Sequence, residues 1–137
     1  MKQVEELIRG EMAAVKSIDT VLEKLQDVNE KTHLNTFRQD HLYAIDILKR
    51  FADSDIAEDT QSAGPWGGFA QTFVSGASLF GDKAAVKALK IGEEHGIREY
   101  QEALEDDSIN MELKEVIRAE LLPNQQKHIN AIERFVH

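Results

Sequence analysis

Two glutamates and two histidines stand where apolar residues are expected. In four stretches the hydrophobic residues recur at the 3.6-residue period of an amphipathic helix, and each stripe carries one strongly polar residue: Glu11, His41, Glu93 and His128. Taking an unpaired carboxylate out of water is costly, so a glutamate on an apolar stripe demands a cation or a hydrogen-bond donor. Two carboxylates and two imidazoles form a donor set for one divalent ion of the zinc, iron or manganese type. The same side chains also close a metal-free network if Arg38 and Gln125, three residues before the two histidines, supply donors to the glutamates. Both solutions require the four to meet.

Other polar residues are secondary candidates. Asp40 adjoins His41 and either orients an imidazole or lies on the surface. His95 beside Glu94 lies off its stripe and reads as solvated surface, and His33 and His137 sit near helix ends without a defined partner. Tyr43 and Tyr100 read as structural, although a core tyrosine beside a metal is also a redox candidate. No nucleophile motif, dinucleotide fingerprint or phosphate-cradling glycine loop is present, so hydrolase and kinase chemistry have no foothold and no enzyme activity is assigned.

Four elements must position these residues. The first stripe holds Val4, Leu7, Glu11, Ala14, Val15, Ile18, Leu22 and Leu25, which predicts a helix over 2–28. Leu34, Phe37, His41, Ile45, Leu48 and Phe51 predict a second over 31–53. A third, over 82–106, carries Val86, Leu89, Glu93, Ile97, Tyr100 and Leu104. The fourth, over 109–136, carries Leu113, Val116, Ile117, Leu121, Gln125, His128, Ile132 and Phe135. Asp82, Ser108 and Asn110 are candidate caps. Pro123 cannot donate a backbone hydrogen bond, which predicts a kink or break near residue 119 in one continuing helix.

The first and last connections are short and predict antiparallel hairpins. Residues 54–81 are long enough to run the length of a bundle, so the second and third helices can be parallel. Within that crossover, Gly64-Pro65-Trp66-Gly67-Gly68 reads as a turn. Phe69, Phe73, Gly76 or Ala77, and Phe80 share a face, as in a short extra helix that caps the core or meets a partner. The fold expected is thus all-α, one antiparallel four-helix bundle over residues 1–137 with a long crossover.

The two halves are alike. Gly10-Glu11 matches Gly92-Glu93, and His41-Leu42 matches His128-Ile129 at a slightly longer offset, which reads as two copies of one hairpin about a pseudo-twofold axis. With this pattern the chain resembles the ferritin-like superfamily, whose di-iron members place a Glu on each of two helices and Glu-x-x-His on the others. Gly92-Glu93-Glu94, Tyr100-Gln101-Glu102-Ala103-Leu104 and Leu121-Leu122-Pro123 before His128 look like the uncharacterised bacterial family called domain of unknown function 2383. The resemblance implies inward-facing Glu11, His41, Glu93 and His128. It departs where Arg38 and Gln125 stand in place of the two bridging glutamates, and Arg38 brings a fixed cation able to pair bidentately with Glu11 or Glu93.

Composition narrows the partners. The chain of 137 residues has no cysteine, so any metal must be held by histidine and carboxylate, and a reducing cytoplasm fits. Its net charge is -9 with scattered basic residues, which argues against nucleic acid. No apolar run approaches the roughly 20 residues of a membrane helix, and the N-terminus lacks the apolar stretch of a signal peptide. The partners left open are a second copy of the chain, in a homodimer, and another protein met through residues 66–80.

Overall fold

The computed structural model describes residues 2–52 and 82–135. These residues are helical throughout, with short turns and no strand. Helix α1 spans Lys2–Lys24, α2 spans Val28–Arg50 and α3 spans Asp82–Glu105. The fourth helix has three parts: α4 (Met111–Val116), a π-helical segment (Ile117–Leu121) and α5 (Leu122–Phe135). The turn expected at 64–68 and the aromatic face at 69–80 lie outside the described residues. None of the described helices is long and apolar enough to cross a membrane.

The boundary between the first two helices falls earlier than the periodicity implies. Asp27 adopts an extended backbone (φ -71°, ψ 119°), and its side chain accepts a hydrogen bond from the Glu30 amide at 2.9 Å. That cap satisfies one of the free N–H groups of the first turn of α2, so α1 ends at Lys24 and α2 begins at Val28. Asn110 caps α4 through the Glu112 amide at 2.7 Å. Ser108 does not act as a cap. Its amide and hydroxyl both donate to Asp106 Oδ1, which folds the turn before α4 and lowers the Asp106 pKa.

Pro123 disturbs the fourth helix where expected, but as a wide turn and not a break. The Leu122 amide donates to Ile117 O, five residues back, and the backbone stays helical on both sides. Slipping the ladder by one residue is a known way to pass a position that cannot donate.

Two apolar clusters fill the interior. The first joins Val4, Leu7 and Ile8 to Ala44, Ile47 and Leu48, and to Tyr100, Ala103, Leu113, Ile117 and Leu121. The second joins Ile18, Val21 and Leu25 to Leu34 and Phe37, and to Val86, Leu89, Ala131 and Ile132. Each fully buried Leu or Ile contributes about 1.5–3 kcal/mol by leaving water. Every long helix contributes to both clusters; on α2, α3 and the fourth helix the polar residue of the stripe falls between the two contributions, and on α1 Glu11 lies at the end of the first, just before Met12. The interior is therefore two oily halves separated by a polar belt.

Candidate metal centre

The belt is where the four stripe-breaking residues meet. Glu11 of α1, His41 of α2, Glu93 of α3 and His128 of α5 are all buried, none more than 5% exposed. His41 lies between the two acids: its Nδ1 is 2.5 Å from Glu11 Oε2 and its Nε2 is 2.6 Å from Glu93 Oε1. His128 Nδ1 is 3.2 Å from the same Glu93 oxygen. The two imidazoles meet edge to face at 5.0 Å, and Phe37 stacks on His128 at 4.3 Å, which fixes the plane of that ring.

Each histidine has a carboxylate at its other nitrogen. His128 Nε2 is 2.8 Å from Asp40 Oδ2, and His41 Nδ1 meets Glu11, whose second oxygen accepts the Tyr100 hydroxyl at 2.6 Å. The inner nitrogens, His41 Nε2 and His128 Nδ1, both face Glu93. One ligand atom each from His41, Glu93 and His128 lie within 4.8 Å of one another. Glu93 Oε2 is buried and has no hydrogen-bond partner. Arg9 Nε and Ser17 Oγ share that condition, and Arg9 bonds through another nitrogen to Glu6.

Electrostatics show how the belt is balanced. Burial pushes the His41 pKa down, but Glu93 and Glu11 outweigh it and raise it well above the usual histidine value. His41 is then an imidazolium donating from both nitrogens. Burial pushes the Glu93 carboxyl up, yet its pKa falls to about 2 because His41 faces it, with help from His128. The Tyr100 phenol is raised well above 10 by burial and by the neighbouring Glu11, so it stays protonated and donates. A neutral His128 can donate to Asp40 or to Glu93 but not to both, and donation to Asp40 turns the Nδ1 lone pair toward Glu93.

Arg38 does not supply the cation expected of it. Its Nε donates to Asp19 Oδ1 at 2.6 Å on the outer face of α1 and α2, where both side chains reach water. The long arginine stem takes the solvated partner because desolvating a guanidinium beside the belt would cost more. Gln125 is buried in the belt, but its amide donates to the Glu93 backbone carbonyl at 3.2 Å and not to a carboxylate. Gly96 makes room for it: a Cβ there would lie 2.0 Å from Gln125 Nε2.

Asp40, for which the sequence favours the surface over the belt, joins the belt through His128 while keeping a side-chain exposure of 35%. The stripe rule misses it because it lies one residue off the apolar face. His33 is not unpartnered, since its ring meets Phe135 edge-on at 5.1 Å. His95 is partly buried, and its pKa is lowered by that burial and by Arg98. His137 lies outside the described residues. The chain matches no family model, no curated protein and no solved structure.

Proposed function

We propose that this chain is a metal-binding helical protein holding one divalent transition-metal ion between His41 Nε2, His128 Nδ1 and the carboxylate of Glu93. One observation carries the reading. Glu93 sets Oε1 against two imidazole nitrogens whose opposite nitrogens are each engaged by another carboxylate, and keeps its Oε2 buried without a hydrogen-bond partner. That is the arrangement in which an outer acid fixes the tautomer of a metal-binding histidine and raises its basicity. Glu11 serves His41 in this way, with Tyr100 behind it, and Asp40 serves His128. Glu11 thus moves from the ligand role expected of it to a supporting one.

Two nitrogens and one carboxylate suit zinc, iron or manganese, with imidazole favouring zinc and iron. The ion would supply a Lewis-acidic centre; no turnover is assigned to it. The outward Arg38 supports this reading because it keeps its own fixed charge out of the belt.

The order of residues in the two apolar clusters supports an antiparallel bundle of ferritin-like topology. The start of α1 lies with the end of α2, and the end of α3 with the start of the fourth helix. On that reading the chain is a single-ion relative of the di-iron bundles, within the family called domain of unknown function 2383, and lacks the bridging carboxylates of a dinuclear centre.

A second reading has its own observation. Both nitrogens of His41 already bond to carboxylates, so the imidazolium can serve as the permanent cation of a structural network in an interaction module. Equilibrium dialysis of chelator-treated protein against zinc, iron(II), manganese or cobalt(II) separates the two. One tightly held ion per chain is expected, lost in Glu93→Gln and in His128→Ala. Failure of every ion to reach stoichiometry in excess metal would leave the structural network as the function of the belt.

A further inference from the structure

The buried triad needs a route from solvent, and the described residues show two narrow clefts that reach the belt, each with internal space of about 10 Å³, close to one water. They are not equivalent. The cleft between α1 and α3 ends on Glu11, both of whose oxygens are occupied by Tyr100 and His41, and it touches neither imidazole-bearing helix at a histidine. The cleft between α2 and the fourth helix reaches His41 and His128 together, and its lining includes Asp40 and Asn124.

Three features mark this second cleft as a passage for cations. Asp40 is the belt carboxylate that also reaches water, with 35% of its side chain exposed while His128 behind it is 3% exposed. Its oxygen holds His128 Nε2, and the other nitrogen of that ring faces Glu93, so the outer imidazole of the triad stands between the mouth and Glu93. A second acid, Glu120, lies farther along the same seam, where the exposed Tyr43 hydroxyl donates to it at 2.9 Å. An acidic mouth on a chain of net charge -9 concentrates divalent cations and disfavours anions.

We infer that divalent cations reach the buried triad through the seam between α2 and the fourth helix, with Asp40 the first carboxylate they meet and the His128 ring the group they pass. The inference rests on the metal reading above and adds the route to it. Asp40 has two roles in this scheme, attracting the ion and holding the ring, and kinetics separate them. A residue that only orients His128 affects how long the ion stays. One that also draws cations to the mouth sets how fast they arrive and how strongly arrival depends on salt.

Stopped-flow loading of chelator-treated protein with cobalt(II), followed by its visible absorption on entering a nitrogen and oxygen site, tests the route. Asp40→Asn keeps an oxygen able to accept from His128 Nε2 but removes the charge. It should slow loading roughly tenfold and flatten the dependence of the rate on ionic strength. Asn124→Leu narrows the cleft without touching a ligand and should slow loading and release together, leaving affinity unchanged. Glu99→Gln, in the other cleft, should load like wild type. Wild-type loading rates and salt dependence in both Asp40→Asn and Asn124→Leu, or slow loading in Glu99→Gln, would overturn the route while leaving the metal site standing. A wild-type chain that takes up no cobalt would overturn both.

Discussion

Exchanging Glu93 for glutamine keeps the shape of the side chain and removes its charge, which isolates what the carboxylate does in the metal-free protein. The Glu93 pKa lies at about 2, below the ordinary 4.5. A depressed acid stabilises the fold above its unfolded value and loses that contribution as pH falls through the folded one. The difference corresponds to about 3 kcal/mol at pH 7, within the range of about 3–5 kcal/mol for breaking a buried ion pair. For a domain of this size each kcal/mol moves the thermal midpoint roughly 3–5 °C, so Glu93→Gln should melt about 10 °C lower. Urea unfolding followed by far-ultraviolet ellipticity, with chelator present throughout, measures the free-energy gap directly. Between pH 5 and pH 3 the gap should narrow, because the unfolded wild-type chain takes up the Glu93 proton in that range while the folded chain does not. A gap below about 1 kcal/mol at pH 7, or one equally large at pH 3, would refute the argument that His41 and Glu93 form a buried ion pair.

The raised His41 pKa has the opposite sign on the alkaline side: its contribution is complete below the unfolded value near 6.5 and is lost as pH rises through the folded value. The thermal midpoint of chelated protein should therefore decline from pH 6 to pH 9, and His41→Gln should remove that slope. Arg38→Ala should leave zinc affinity close to wild type, because the guanidinium bonds to Asp19 at the surface; a marked gain or loss by calorimetry would place it back in the belt. Gly96→Ala should destabilise the wild-type chain by displacing Gln125, yet stabilise a Gln125→Ala background, where only the better helix propensity of alanine remains. An equal effect in both backgrounds would show that the close approach carries no energy. Asp27→Ala should cost about 1 kcal/mol by removing the cap of α2, read from the urea midpoint at constant slope.

The belt was legible because a charged residue on an apolar stripe violates the pattern with which helices hide from water. Glu11, His41, Glu93 and His128 each carried that signal, and all four meet. What periodicity could not read was the direction of long or off-stripe side chains. Arg38 lies close enough to the inner face for a helical projection to turn it inward, but a flexible stem follows hydration, and Asp19 on α1 is not a sequence neighbour. Asp40 lies one position off the stripe and becomes part of the site only because α5 brings His128 against it. Periodicity does not show the first helix boundary because Leu22, Leu25 and Val28 keep the apolar rhythm through the turn. The Asp27 carboxylate three residues before Glu30 was the better guide.

The wide turn at Ile117–Leu121 has a consequence for the alignment of the fourth helix. Leu113, Ile117, Leu121 and Gln125 are spaced by four each time, too slow for an α-helix, and an uninterrupted one would carry Gln125 about 120° around the axis from Leu113. Because the π segment absorbs one residue, that error shrinks to roughly 20°, and both ends of the rod face inward. The chain thus stores a spare residue midway along this rod. Losing one residue there would keep His128 aimed at its neighbours while pressing the Pro123 ring on the carbonyl four residues back, whereas the same loss a turn later would rotate the histidine out of the bundle.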